Sequence, residues 1–432
     1  MKKKEIMKYI TGKHIVLGLL AVALVLLTGC QSDGGDTFDT SRQNPTMEMQ
    51  ASATAYKDVM PKASTRAGET WTPPSGFTLY AGHDDIRVAF TQGYRIAKGT
   101  KKVETDQERD AKGNFRFYQG NPEADPPVLD KWGANFPLPA AIETPYYLYG
   151  YMPAYGDLSE LDPIDGKNGV NGDFANGATL TITGLPSATS SDVCVIVGVS
   201  KGSSSTNDGG IIMGQFGYTI DTGQNHVFLL CDHIYACLRL SIYVDPTYYA
   251  LRRIKLKKMW VKDCKNSDGQ QLTSKSDVRI SLEKTNTNVT NPSLWDSPIK
   301  SIAFTNDDSN SVIDMEQNPL FYKAEGLDLS GDEKHPTYVE GFMAPIGMTE
   351  FTLVSQYDVY DTKGNLIREN ETAANKININ KIFSTQLIPV TEFERGTRYT
   401  LKLKVNPTYL YMLSEPDLDN PTVEIYSSGS GS

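Results

Sequence analysis

The run Gly198-Val199-Ser200-Lys201-Gly202 has the spacing of a nucleophile elbow, where a sharp strand-to-helix turn aims a serine hydroxyl at a substrate carbonyl. The apolar stretch 193–199 provides a strand in front of it. Behind it, residues 203–210 are Ser- and Gly-rich and carry no helical period, so the half of the motif that aims the hydroxyl is missing. Past the first 30 residues the histidines are His83, His226, His233 and His335, at no metal-ligand spacing. His226 and His233 lie seven apart on one strand and so fall on opposite faces. The acidic stretches Asp307-Asp308 and Asp417-Leu418-Asp419 lack the glycine and spacing of a calcium loop. Cys194, Cys231, Cys237 and Cys264 contain no C-x-x-C, so zinc is not expected. Cys231 and Cys237, six apart on one strand, would share a side yet stand too far apart to bond each other. A disulfide is allowed in an external compartment, and buried free thiols are the default expectation. These residues give no convergent acid, base or metal set, so the chain is read as non-enzymatic, with no cofactor and no metal.

The plainest chemistry is done to the chain rather than by it. Lys2, Lys3, Lys4, Lys8 and Lys13 precede an apolar run over residues 15–27, then Leu27-Thr28-Gly29-Cys30. A basic region, a 13-residue apolar core and small residues before a cysteine make a lipoprotein export signal. The similarity of Leu-Thr-Gly-Cys to a lipobox implies cleavage before Cys30 and acylation of that residue. The other reading is an uncleaved anchor helix, although the run is shorter than the ~20 residues that span a bilayer. No later segment is apolar enough to span one.

A second processing site follows. Met47, Met49, Ala51, Ala53 and Ala55 alternate with Glu48, Gln50, Ser52, Thr54 and Tyr56, the period of a half-buried strand. Next comes Pro61-Lys62-Ala63-Ser64-Thr65-Arg66-Ala67, small and polar with basic residues at 62 and 66, the kind of loop a trypsin-like protease cuts. One cut between Arg66 and Ala67 would make the strand removable. A sheet that loses a strand exposes unpaired backbone groups that another chain can fill. An ordinary linker before a domain is the alternative.

The elements around these sites read as strands. Tyrosine is abundant (23 residues), and Gly and Pro punctuate the chain often, an all-β composition. Removing residues 1–29 takes the net charge from −10 to −14 over 403 residues, which argues against nucleic acid or anionic headgroups as partners. Strands are expected at 85–90, 145–152, 178–182 and 193–199. A long one is expected over 227–244, and another over 253–261 with a bulge at Lys257-Lys258. A hairpin over 351–367 turns at Lys363-Gly364-Asn365, and the last clean strand covers 398–405. No amphipathic helix longer than about ten residues is expected. Short strands between turn signals argue for β-sandwiches, with a domain boundary near Thr222.

The lipobox, Thr65-Arg66-Ala67, the strand pair 232–261, the stretch 357–370 and above all the ending Val405-Asn406-Pro407-Thr408-Tyr409-Leu410-Tyr411 through Thr422 resemble Bacteroidales fimbrillins. The resemblance implies an all-β chain of two tandem transthyretin-like β-sandwich domains, 67–222 and 223–432, after a signal peptide at 1–29 and a prosegment at 30–66. It implies a lipid-anchored outer-membrane precursor cut after Arg66 by a trypsin-like protease. It implies assembly with other pilin subunits into a type V pilus (a surface fimbrium supporting adhesion to a host surface ligand) by donor-strand exchange. The donor would be residues 421–426, with Val423 and Ile425 as its apolar side chains. That segment is short, which keeps a tip or minor subunit open. A monomeric surface lipoprotein that binds host glycan or protein is the rival reading.

Overall fold

The computed structural model describes residues 46–54, 56–59, 78–82, 114–118, 131–135, 145–152, 169–173, 175–202, 213–219, 224–285, 297–306, 311–382, 390–410 and 415–426. Cys30, Arg66, Ala67, His83, the expected strand at 85–90 and the loop 203–210 lie outside the described residues.

The strands in chain order are β1 (Thr46–Ala53), β2 (Lys57–Asp58), β3 (Thr78–Gly82), β4 (Asn114–Tyr118), β5 (Lys131–Asn135), β6 (Pro145–Met152), β7 (Gly169–Asn171) and β8 (Gly177–Pro186). Then come β9 (Ala188–Thr189), β10 (Cys194–Gly202), β11 (Gly217–Thr219), β12 (Gln224–His233), β13 (Ala236–Val244), β14 (Arg253–Asn266) and β15 (Lys275–Glu283). The remainder are β16 (Ile299–Asn306), β17 (Phe321–Asp328), β18 (Thr337–Met343), β19 (Met348–Tyr360), β20 (Leu366–Asn378), β21 (Thr397–Leu410) and β22 (Glu415–Tyr426). Among the described residues the helices are single turns, α1 (Pro246–Tyr249) and α2 (Ile379–Ile382), and none is long and apolar enough to cross a membrane.

The described strands form four sheets. The largest runs β11-β6-β10-β12-β1-β5-β4, with β3 also on β6. A second runs β2-β21-β13-β18-β9, with β22 also on β21; the others run β17-β14-β19-β20 and β16-β15-β8-β7. Sheets shed water from their apolar faces by packing on one another, and two apolar clusters record this. One gathers Tyr149, Tyr151, Val195 and Val197 from the largest sheet with Leu180, Ile182, Val278 and Ile280 from the β16-β15-β8-β7 sheet. The other gathers Leu238, Leu240, Leu401 and Leu403 with Ile254, Trp260, Leu353 and Val359. The hairpin β15–β16 follows β14 in the chain, yet β15 pairs with β8 and its apolar residues join the first cluster.

The long strand expected over 227–244 is two strands. β12 ends at His233 in the largest sheet, and β13 begins at Ala236 in the second. At the corner, Ile234 N–H donates to the Val193 carbonyl, Gly396 N–H donates to the Tyr235 carbonyl, and the Tyr235 hydroxyl donates to the Pro186 carbonyl at 2.7 Å. Ile234 and Tyr235 are both fully buried, so the apolar pattern runs through the corner without a break. Cys231 and Cys237 therefore sit in different sheets rather than on one side of a single strand.

Two local expectations hold. The register of β14 on β19 shifts between Leu256 and Lys258, the bulge expected at the lysine pair. The β19–β20 turn is closed by Asp361, whose Oδ1 accepts from the Lys363 and Asn365 amides at 2.8 Å each, with Gly364 at φ +86°. Gly177, at φ +146°, opens β8 where a Cβ would collide with the Leu282 carbonyl oxygen of β15. Gly177→Ala is expected to cost about 1–3 kcal/mol, read as a lower urea midpoint with an unchanged slope.

Candidate functional site

The site is built around the segment 46–59. β1 is an inner strand. It lies parallel to β12, from Thr46 opposite Gln224 to Ala53 opposite Cys231, and antiparallel to β5, from Thr46 opposite Asn135 to Met49 opposite Trp132. The chain then leaves the largest sheet and joins the second. Thr54 N–H donates to the Cys231 carbonyl at 2.9 Å, Lys57 N–H to the Gly396 carbonyl, and Val59 N–H to the Arg398 carbonyl. β2 runs parallel to β21 at Thr397 and Arg398. β13 also pairs with Arg398 and with residues 402–405, so β2 and β22 must both occupy the opposite edge of β21.

Between the two sheets the segment covers a buried polar cluster. Cys194 and His233 are cross-strand partners in the β10–β12 register, and Asp192 lies two residues before Cys194. His233, Asp192 and Cys194 are 1%, 7% and 0% exposed. His233 Nδ1 stands 2.8 Å from Oδ2 of Asp192 and 3.4 Å from Sγ of Cys194. His233 Nε2 stands 2.8 Å from the Thr54 carbonyl oxygen. A carbonyl oxygen only accepts, so Nε2 carries a proton and donates it. Nδ1 and the carboxylate oxygen both bring lone pairs to their contact, so one further proton lies between them and the pair is neutral overall.

Tyr56 closes the cluster. Its ring stacks on His233 at 3.7 Å and 19°, and its hydroxyl donates to Oδ1 of Asp192 at 2.7 Å. The Arg398 guanidinium lies over the Tyr56 ring, 5.3 Å from its centroid. Burial, with Asp192 beside it, pushes the Tyr56 hydroxyl far above its ordinary range, and the same two causes hold Cys194 as a neutral thiol. Next to the cluster, Asp232 accepts from the Thr54 hydroxyl at 2.7 Å and from Arg395 at 2.9 Å. Asp192, Cys194 and His233 are the described His, Cys, Asp and Glu residues whose ligand atoms converge, all within 4.8 Å of one another.

The other residues singled out by the sequence are dispersed. Ser200 is in β10 opposite Phe228, still within a strand, and its Oγ has no hydrogen-bond partner among the described residues. Cys194, Cys231, Cys237 and Cys264 are free and buried. His335 is exposed and paired with Asp332. Val423 and Ile425 lie on β22, opposite Val405 and Leu403 of β21, and Val423 is buried in the second cluster. Among the described residues, side chains from α1, β19 and the segment after α1 fasten β22. The Tyr248 hydroxyl donates to the Leu418 carbonyl, the Tyr357 hydroxyl donates to the Pro421 carbonyl, and Arg252 pairs with Asp419 at 2.8 Å. Nothing in the sequence marks Asp192, His233 and Tyr56 as a group. No local signal joins them, because the register of β10 on β12 and the path of residues 54–56 bring them together.

No protein-family model matches the sequence, and no curated protein matches it. Several solved structures are similar to it. A fimbrial protein from Bacteroides vulgatus is 13% identical, with 89% of this chain and 98% of that one covered and a TM-score of 0.29. A fimbrial assembly protein from Parabacteroides distasonis is 9% identical, with 83% and 90% covered and a TM-score of 0.29. The fimbrial anchor protein Mfa2 from Porphyromonas gingivalis is 11% identical, with 89% and 98% covered and a TM-score of 0.20.

Proposed function

We propose that this chain is a structural, non-enzymatic subunit of a cell-surface pilus. It is exported as a precursor lipidated on Cys30 and held at the outer membrane. A trypsin-like protease cuts between Arg66 and Ala67, residues 30–66 leave with the lipid, and a neighbouring subunit donates a strand into the vacated lane. The two sheet pairs serve as two transthyretin-like sandwich domains, with the β15–β16 hairpin reaching back to the first. The finished fimbrium supports adhesion to a host surface ligand.

The observation that carries this reading is the position of β1 as an inner strand just upstream of the basic loop. Its lane, residues 46–59, is about 45 Å long at ~3.3 Å per residue. The 12-residue strand β22 spans about 40 Å on the same rise, so Val423 and Ile425 belong to a segment of nearly the right length to fill a neighbour's lane.

A second reading has its own support. The bonds from Tyr248, Tyr357 and Arg252 hold β22 on its own chain. A subunit whose C-terminal strand stays at home suits a tip or minor position, or a monomeric surface lipoprotein that binds glycan or protein. Limited trypsin digestion of the unlipidated precursor separates the readings by intact mass, cold-SDS gels and electron microscopy. A product starting at Ala67 that forms ladders and filaments supports the polymerising subunit. A clean cut without ladders supports the tip or minor subunit, and resistance at Arg66 supports the monomer.

Release of the prosegment should be slowed by the contacts of Tyr56. Tyr56→Ala removes a ring stack and the hydroxyl bond to a buried carboxylate, a bond class worth about 1.5–3 kcal/mol. The variant is expected to lose the cut 30–66 fragment at least several-fold faster than the parent, measured by native mass spectrometry after quenching the protease.

A further inference from the structure

We propose that Asp192, Cys194 and His233 bind one thiophilic divalent cation, zinc being the ion whose chemistry fits, and that Thr54 and Tyr56 hold the ligands in place. The absence of a C-x-x-C pair argued against zinc in the sequence. The folded chain supplies the ligands differently, from two strands in register. For zinc bonds of about 2.0–2.3 Å in a tetrahedral arrangement, ligand atoms stand roughly 3.3–3.7 Å apart. The Nδ1–Sγ separation of 3.4 Å already matches. The Nδ1–Oδ2 separation of 2.8 Å has to open by roughly half an ångström as an ion replaces the shared proton.

The outer contacts are those of a metal site. A histidine that ligates through one nitrogen characteristically donates its other N–H to a carbonyl or carboxylate, and ligating carboxylates are themselves hydrogen-bonded. His233 donates Nε2–H to the Thr54 carbonyl, and Asp192 accepts from the Tyr56 hydroxyl on the oxygen that does not face the histidine. Charge balances as well. The metal-free cluster is neutral: one proton is shared by Asp192 and His233, and one is on the Cys194 thiol. A dication held by one carboxylate, one thiolate and one neutral imidazole is also neutral. Binding releases the two protons to solvent and leaves no net charge in a buried place, which is where an uncompensated charge is costly.

The test uses the full chain, reduced and stripped of metal, titrated with Co²⁺ and then with Zn²⁺. The expected result is a thiolate-to-cobalt charge-transfer band at one equivalent, lost on adding zinc, with two protons released per ion in weak buffer. Cys194→Ala should abolish the band and Cys264→Ala should keep it. Asp192→Asn keeps an acceptor for Tyr56 and a donor for Nδ1, so it should stay folded by near-ultraviolet circular dichroism while losing the band. Tyr56→Phe is expected to weaken binding about 10–100-fold. No thiolate band in the parent chain, a band that survives Cys194→Ala, or Asp192→Asn binding as the parent does would each overturn the proposal.

Discussion

Arg66→Ala is expected to leave the precursor as monomers under conditions in which the parent forms SDS-resistant ladders. Two strands compete for one lane. β1 already occupies the space between β12 and β5, and in the uncut chain it is tethered there. A strand on the same chain as its lane acts at an effective concentration in the millimolar range. A neighbour's strand at micromolar subunit concentration is outcompeted about a thousandfold, worth ~4 kcal/mol. Cutting after Arg66 removes that advantage without altering any contact in the lane. An incoming strand that presents side chains such as Val423 and Ile425 can then gain at ~25 cal/mol per Å² of apolar area buried. Lys62 is a second basic residue in the same loop, so the assay needs a protease that cuts only after arginine; trypsin could bypass the block. Ladders from Arg66→Ala as abundant as those of the parent, with the chain intact by mass, would sink the exchange mechanism.

What the sequence shows about this chain is mostly local. The alternation over 47–55 announces β1 because one residue in two is small or apolar. The bulge in β14 is legible because two adjacent lysines break the alternation. The turn 361–365 is legible because Asp, Gly and Asn each have a distinct backbone role there. The corner at Ile234 and Tyr235 is not legible, since both residues are apolar and buried and the pattern carries on through them. The return of β15 to pair with β8 is not legible either: Val278, Ile280 and Leu282 alternate as they would against any sheet. The polar cluster is hidden for a third reason. His233 reads as one more position on an apolar strand, and its partners lie 39 residues away at Cys194 and 179 away at Thr54. Only the antiparallel register of β10 on β12, with β1 laid beside β12, brings His233, Cys194 and Thr54 together.

Asp192→Ala should destabilise the full chain far more than Asp192→Asn, and the difference follows from the hydrogen bonds of the cluster. Oδ2 of Asp192 shares a proton with His233, and Oδ1 accepts from Tyr56. Alanine removes both partners at once. It leaves the Tyr56 hydroxyl and His233 Nδ1 facing a void at a place 7% exposed or less, and breaking a buried pair in this way costs about 3–5 kcal/mol. Asparagine is nearly the same shape. Its oxygen still accepts from Tyr56, and its amide donates to Nδ1 of a neutral His233 that keeps Nε2–H on the Thr54 carbonyl, so the expected loss is below about 1.5 kcal/mol. Urea unfolding of both variants reads the two values. The same comparison after the cut at Arg66 and removal of the prosegment tells where the energy resides. Once Thr54 and Tyr56 have gone, Asp192 has lost its bond to Tyr56 and keeps the one to His233, so the penalty for alanine should shrink. A penalty that stays the same in the cut chain would mean that the cluster stabilises β10 against β12 by itself and contributes nothing to holding the prosegment strand in its lane.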